Sequence, residues 1–294
     1  MTGRGRAVVF GARGQIGREV VRALAASGYA TVGLGHAQCD ITDPDAVGAA
    51  LGGIGEGDVV VNAAAWNDVV GAETRFADAM LANGCAPYFV ARAAQRCGAT
   101  MVHFGTDYVF DGRSGSPYVE SDAVHPLNSY GRAKLCGEVL VKAVAPRVYL
   151  ARVSTVFGVA DDRRRQNFVE RVLAASRDGT PIRLMADGAM SPTYAADAAD
   201  VVADLLRTDA PFGTYHVANN GACSWYAFAE EILRLAGGSA RLERLGALEG
   251  DQRVARPLNS ALRSESLGSL GLMTQPWQDG LRRYLRATGH LKGS

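Results

Sequence analysis

Tyr130 and Lys134, four residues apart, are the pair in this chain best suited to move a proton. In a helix such residues sit one above the other on a single face. Pro126 and Ser129 are placed to start a helix there. A free phenol titrates near about 10, so it needs help to give up a proton at neutral pH. A fixed ammonium roughly 4 Å away favours the phenolate by on the order of 4 kcal/mol at an effective dielectric near 20. Tyr130 would then be a usable proton donor to a carbonyl undergoing reduction. The chain has 10 tyrosines but lysines only at 134, 142 and 292, so a chance pair at this spacing is rare. A surface helix could still carry one, and the surrounding elements have to decide.

Those elements alternate strand and helix. Ala7-Val8-Val9-Phe10 is a short buried-strand run, followed at once by Gly11-Ala12-Arg13-Gly14-Gln15-Ile16-Gly17 and an apolar-periodic helix, Arg18 to Ser27. Strand, glycine turn and helix together bring backbone N–H groups and a helix N-terminus against a pyrophosphate. The next strand, Ala30 to Leu34, runs into Gly33-Leu34-Gly35-His36, without the acid that often holds an adenosine 2′-hydroxyl. Arg13 is the nearest residue able to meet a 2′-phosphate, or else it is simply solvated. Asp40-Ile41-Thr42-Asp43 either touches adenine or caps the following helix.

A third strand, Asp58 to Val61, ends in Asn62-Ala63-Ala64-Ala65-Trp66, where small side chains let a flat cofactor lie close. Helix Arg75 to Cys97 precedes strand Thr100 to Phe104, which leads into Gly105-Thr106-Asp107-Tyr108. Thr106, at that strand end, is placed to hydrogen-bond the same carbonyl oxygen as Tyr130; its plain alternative is a turn residue. A fifth strand, Val148 to Val153, completes the alternation.

Composition sets the outer bounds. With 294 residues, 48% hydrophobic and 21% charged, the chain reads as an ordinary globular protein of one large α/β domain with a smaller lobe. A formal net charge of +1 gives no reason to expect nucleic acid or an anionic membrane as a partner. No apolar run reaches the roughly 18 residues that span a bilayer. The five cysteines (39, 85, 97, 136, 223) include no C-x-x-C pair, which favours reduced core thiols in a cytoplasmic protein.

Beyond Thr155 the pattern loosens. A loop with Arg163, Arg164 and Arg165 is followed by helix Asn167 to Ser176, strand Ile182 to Met185 and helix Ala195 to Arg207. The arginine run is either solvated or meets a substrate phosphate. Thr214 to Val217 reads as a strand returning to the main sheet, followed by helix Trp225 to Leu235 and a last helix, Trp277 to Arg286. The expected fold is α/β: a Rossmann-type doubly wound parallel sheet with a smaller C-terminal substrate-binding lobe. Residues 1–153 form the NAD(P)-binding domain, 213–230 return to it, and 154–294 mainly build the lobe.

The quoted glycine turn, Asp40 to Asp43 and Asn62 to Ala65 match a family pattern, as do Thr106 to Gly112, Pro126 to Asn128 and Tyr130 to Glu138. Ser191 to Tyr194, Cys223 to Tyr226 and Arg256 to Ser260 complete it. In this order they resemble the dTDP-4-dehydrorhamnose reductase family of extended short-chain dehydrogenases/reductases, over nearly the whole length. The resemblance implies reduction of a sugar 4-keto group, with Thr106, Tyr130 and Lys134 as the catalytic trio. Lys134 would hold the nicotinamide ribose and lower the Tyr130 pKa. NADPH is the expected cofactor, with NADH as the alternative donor. Gly11, Arg13, Gly14, Gln15, Ile16, Gly17, Asp40, Ile41, Ala63, Ala64 and Ala65 would hold it, with Tyr130 and Lys134. Trp66, Thr106, Asp107, Tyr108, Thr155, Asn167 and Arg256 would contact a nucleotide-sugar substrate.

A homodimer is compatible with the resemblance; no metal site is expected. Several positions depart from the family. Gly105 replaces a serine, Val70 an acid, Trp66-Asn67 a tyrosine–threonine pair and Thr155 a tryptophan, and Gly188 and Met190 alter the segment before Ser191. These changes are expected to alter the sugar pocket and leave the trio intact. A non-catalytic regulatory subunit, like the beta subunit of methionine adenosyltransferase, and a related epimerase or dehydratase are the competing readings.

Overall fold

Parallel strands buried on both faces read as continuous apolar runs, and strands Val59–Asn62, Thr100–Thr106 and Val148–Val153, buried along their whole length, form the centre of this molecule. The computed structural model describes residues 4–161, 166–246 and 253–291. Its first half alternates β1 (Arg6–Phe10), α1 (Gln15–Ala26), β2 (Ala30–Leu34), α2 (Pro44–Ala50) and β3 (Val59–Asn62). Then come the short helices α3 (Gly71–Thr74) and α4 (Phe76–Met80), helix α5 (Ala86–Arg96), β4 (Thr100–Thr106), α6 (Ser129–Val144) and β5 (Val148–Val153). The second half holds β6 (Val156–Phe157), α7 (Phe168–Asp178), β7 (Ile182–Met185), β8 (Thr193–Tyr194) and α8 (Ala195–Arg207). It closes with β9 (Gly213–His216), α9 (Trp225–Ala236), β10 (Leu242–Leu245), α10 (Glu265–Ser269) and α11 (Trp277–Ala287).

Six strands form one sheet in the order β2-β1-β3-β4-β5-β9, every pair parallel. The order reverses at β1, which has β2 on one side and β3 on the other. Open α/β sheets bind ligands at such a switch point, beyond the carboxyl ends of the strands. Register brings those ends level: Phe10 faces Asn62, and Thr106 faces Val153. The glycine turn, Asn62 to Trp66, Thr106 and Ser154 therefore emerge along a single edge.

Helices cover both faces. One core packs α1 and α8 on the sheet through Val20, Leu24, Val202 and Leu205; the other packs α2, α5 and α6 through Val47, Val90, Ala94 and Val141. Helix α8 therefore belongs with the sheet, whereas the sequence alone assigns it to the lobe. Its alanine-rich face fits closely against α1. Conversely, the start of α9, expected to return to the sheet, buries Phe228, Ala229 and Ile232 in the lobe core with Phe157, Leu281 and Tyr284. The lobe adds a two-stranded parallel pair, β7 with β10. The helix expected from Arg75 to Cys97 is present, but residues Leu81–Cys85 form one wide π-helical turn between α4 and α5.

Candidate active site

Thr106 ends β4, and its side chain organises the turn that follows. Thr106 Oγ1 accepts the Tyr108 N–H at 3.3 Å and donates to Asp107 Oδ1 at 3.1 Å. Helix α6 brings Tyr130 to this turn. Its N-cap is Asn128, whose Oδ1 accepts the Gly131 N–H at 2.8 Å; Ser129, expected at the start, is the first helical residue instead. Ser129 ties the helix start to α3, because its N–H and Oγ–H both donate to the Glu73 carboxylate, at 2.8 and 3.0 Å. Gly131 lets the helix press on the turn, since a Cβ there would lie 2.3 Å from the Tyr108 carbonyl oxygen. The Tyr130 ring consequently meets Tyr108 edge-on, with centroids 5.8 Å apart, and its phenol comes near the Thr106 hydroxyl.

The electrostatics depart from expectation at Lys134. The ammonium donates to the Phe104 carbonyl oxygen on β4 at 2.7 Å and is 3% exposed. Burial pulls its pKa down to about 8, with the Glu138 carboxylate pulling the other way. The Tyr130 phenol is raised above its ordinary value, chiefly by burial; the nearby Thr106 hydroxyl opposes this, and Asp107 and Tyr108 add to it. The predicted lowering of the Tyr130 pKa by Lys134 is therefore not seen here. Four-residue spacing puts both on one helix, but the ammonium is spent on the strand beneath.

Asp107 is 3% exposed, and burial pushes its carboxyl up to about 6 against the nearby Ser260 hydroxyl and the hydrogen bonds from Ser154 and Thr106. Beneath the site, Arg152 and Glu138 form a buried ion pair, Nη2 to Oε2 2.8 Å. This pair explains Gly105: a Cβ there would lie 2.3 Å from Glu138 Oε1 and 3.0 Å from Arg152 Cγ. Gly105 thus leaves room for the buried ion pair. Gly188 likewise admits the Leu258 carbonyl, 2.8 Å from where its Cβ would stand.

The glycine turn has the shape of a cradle for a dinucleotide. Gly11 adopts φ +76°, and a Cβ on it would lie 2.5 Å from the Ala64 nitrogen. Ala64 is held there by Asn62 Oδ1, at 3.1 Å, and the Ala63 N–H donates to the Phe10 carbonyl. A Cβ on Gly17 would lie 2.2 Å from the Gly11 carbonyl oxygen. Helix α1 starts after Gly14, and among the described residues no side chain caps its first N–H groups, which suits an external anion. Gln15 Oε1 is buried there with no partner among the described residues, and Ile16 packs on the sheet core. Arg13 lies over the end of β2, its Cδ 2.9 Å from where a Gly35 Cβ would stand. Asp40 Oδ1 accepts the Thr42 N–H and O–H at 3.0 and 2.8 Å, Ile41 is buried, and the cap of α2 is Asp43.

On the substrate side, Trp66 packs beside Tyr130 and Tyr108, with the Arg75 guanidinium 4.6 Å over its ring. Thr155 directly follows Ser154 with φ +43°, a left-handed backbone that a β-branched residue rarely adopts. Arg256 Nη1 donates to the Tyr108 hydroxyl at 3.0 Å and lines a cavity of about 700 Å³ with Asp111, Arg113, Leu127, Asp187 and Leu258. Two side chains are otherwise engaged. Asn167, expected at the substrate, caps α7 through Oδ1 and donates to the Gly158 carbonyl and the Tyr284 hydroxyl. Asn259 donates to the Ser114 and Ser116 carbonyls. Asp162 and the arginine run 163–165 lie outside the described residues.

Glu73 and Asn83 are not legible as site residues in the sequence. Asn83, in the π-helical turn, accepts the Trp66 N–H and donates to the Trp66 carbonyl, both at 2.9 Å. Neither contact has a local sequence signal, because each joins residues far apart in the chain.

A doubly wound sheet that brings a buried tyrosine, threonine and lysine together beside a glycine-turn cradle defines an oxidoreductase of the short-chain dehydrogenase/reductase class. Within that class the chain belongs to the family described as RmlD substrate binding domain, which matches residues 5–289. A dTDP-4-dehydrorhamnose reductase of Streptomyces griseus is 36% identical over 275 residues, 92% of this chain and 89% of that protein. A probable dTDP-4,6-dihydroxy-2-methyloxan-3-one 4-ketoreductase of Streptomyces antibioticus is 35% identical, covering 94% and 93%. The crystal structure of dTDP-4-dehydrorhamnose reductase from Bacillus anthracis in complex with NADP superimposes with a TM-score of 0.89 at 30% identity, covering 96% of this chain and 99% of that one.

Proposed function

We propose that this protein reduces the 4-keto group of a dTDP-linked 4-keto-6-deoxyhexose with NADPH, giving a deoxysugar nucleotide. The observation that carries this reading is the Tyr130–Thr106 hydroxyl pair, buried where α6 meets the end of β4. When bound, NADPH supplies the hydride. Tyr130 gives the proton to the resulting alkoxide, Thr106 orients the carbonyl oxygen, and Lys134 holds the nicotinamide ribose. The uncapped start of α1 and the unpartnered Gln15 Oε1 fit a dinucleotide, and Arg13 beside Gly35 favours a 2′-phosphate. The NADP complex of the Bacillus anthracis relative supports the same choice.

For the nucleotide end, the cavity beside Arg256 has the size of a small-ligand site. The Streptomyces antibioticus relative, named for a sugar other than rhamnose, favours a product that need not be rhamnose. The test supplies purified protein with NADPH and several dTDP-4-keto-6-deoxysugars, and identifies products by mass and NMR. Tyr130→Phe should lower turnover on the order of 100-fold or more while retaining cofactor binding. Folded, NADPH-binding protein that reduces none of these sugars would overturn the reading.

A further inference from the structure

Tyr108 touches the proton donor on one side and the cavity on the other. Its ring meets the Tyr130 ring edge-on at 5.8 Å, in a cluster with Ala72, Ala133 and Trp66. Its carbonyl oxygen lies against Gly131, the residue after Tyr130, where a Cβ would stand 2.3 Å away. Its hydroxyl accepts the Arg256 Nη1–H at 3.0 Å, and Arg256 lines the cavity of about 700 Å³. One chain of contacts therefore runs from the cavity through Arg256 and Tyr108 to Tyr130.

This chain has a firm part and a loose part. Asn128, the N-cap of α6, donates its Nδ2–H to the Ala255 carbonyl at 2.8 Å, so the backbone before Arg256 is tied to the helix that carries Tyr130. Just beyond, the Ala189 N–H donates to the Leu258 carbonyl at 2.9 Å, and the Ser260 N–H to the Ala189 carbonyl at 2.7 Å. The Arg256 side chain is different. It is exposed, so its bond to Tyr108 forms in competition with water. A guanidinium carries five N–H donors in a rigid fork, and Tyr108 takes one of them. The rest of the fork can receive a phosphate while that bond is kept.

Resting on the reductase reading above, we propose that Tyr108 is a positioning residue through which an occupied nucleotide site orients Tyr130. A diphosphate in the cavity pins the Arg256 guanidinium and shields it from water. Its bond to the Tyr108 hydroxyl becomes stronger in the drier surroundings. The Tyr108 ring is then fixed, and its edge-on contact, which depends on angle, fixes the Tyr130 ring in turn. Binding energy from a part of the substrate that does not react is thereby used to aim the proton donor.

The test compares a dTDP-4-keto-6-deoxysugar with the same keto sugar free of its nucleotide, each with saturating NADPH. In wild type, kcat for the free sugar should be lower on the order of tenfold or more, beyond any rise in KM. Tyr108→Phe keeps the ring and removes the link, so the two kcat values should converge. Arg256→Lys leaves a charge for the phosphate but no fork to span both partners, and should narrow the ratio likewise. A side chain that merely supported the fold would lower both kcat values together. Equal values in wild type, or a ratio that survives Tyr108→Phe, overturn the proposal. NMR of protein carrying isotope-labelled tyrosine gives a readout apart from turnover. The Tyr130 ring signal, assigned by its loss in Tyr130→Phe, should shift when dTDP binds to wild type and stay in place when dTDP binds to Tyr108→Phe. Bound dTDP that leaves the wild-type signal unmoved overturns the proposal alone. If the signal shifts but no keto sugar is reduced, the reductase reading fails and the link from cavity to Tyr130 stands.

Discussion

Replacing Lys134 by methionine separates the charge of this residue from its bulk, and the two should pull stability and activity in opposite directions. The ammonium is 3% exposed and donates to one carbonyl, on Phe104. Burial outweighs the attraction of Glu138 and brings the group from 10.5 to about 8, so the folded chain disfavours the ammonium by about 3 kcal/mol. The sign follows from where the two states titrate. Below about 8 both folded and unfolded chains carry the proton, and the penalty is present in full. Between about 8 and 10.5 the folded chain loses its proton first, and the penalty disappears.

Methionine fills a similar volume without charge. Leaving the Phe104 carbonyl one partner short returns about 1 kcal/mol of this gain. Lys134→Met should therefore be more stable than wild type by about 2 kcal/mol at neutral pH, or about 4 °C in Tm for a chain of this size. The gain should shrink above pH 8 and close near 10. Added NADPH should raise the wild-type Tm more than that of the variant, and kcat/KM should fall at least about tenfold with loss of the proposed ribose contact. Thermal melts across this pH range, with and without NADPH, together with steady-state kinetics, provide the assay. A variant that melts lower than wild type at neutral pH, or a gap that does not change with pH, would refute the reasoning.

Two further substitutions test the surroundings. Arg13→Ala should weaken NADPH about tenfold or more while sparing NADH, since a charge-assisted bond to a 2′-phosphate is lost; the ratio of the two specificity constants reads this directly. Gly105→Ser places a Cβ 2.3 Å from Glu138 Oε1. Displacing a carboxylate buried against Arg152 should cost about 1–3 kcal/mol in denaturant unfolding, and a neutral outcome would show that the ion pair moves freely.

Much of this fold is legible in the sequence because its central strands are fully buried. Val59-Val60-Val61 and Val148 to Val153 leave no polar alternation to misread, and Gly11 to Gly17 marks the first turn. Interactions between distant residues are harder to see. The Glu73 carboxylate that receives both Ser129 donors belongs to an exposed residue of a short helix, with nothing nearby to announce its partner. The π-helical turn at Leu81–Cys85 has no period of its own, yet it aims the Asn83 amide at the Trp66 peptide. Lys134 shows the limit of helical spacing. Sequence assigns it a face of α6, but the Phe104 carbonyl decides where its ammonium rests.

The departures around the presumed sugar divide on the same physical ground. A residue type that differs from its family need not differ for the ligand's sake. Gly105 and Gly188 sit where a side chain would strike Glu138 or the Leu258 carbonyl, and Gly188 also lines the cavity beside Arg256. Trp66 is different, because it stands beside Tyr130 and Tyr108, its peptide fixed by Asn83 and its ring beneath Arg75. Thr155 is different as well: it follows the serine that holds Asp107 and adopts a backbone that costs a β-branched residue on the order of 1–3 kcal/mol. Strain of that kind persists only where surrounding contacts impose it, and here Thr193 donates its N–H to the Thr155 carbonyl and its hydroxyl to that of Ser154. On the proposed function, substitutions at Trp66 and Thr155 should shift the choice among keto sugars more than one at Gly105, which competition between those sugars checks.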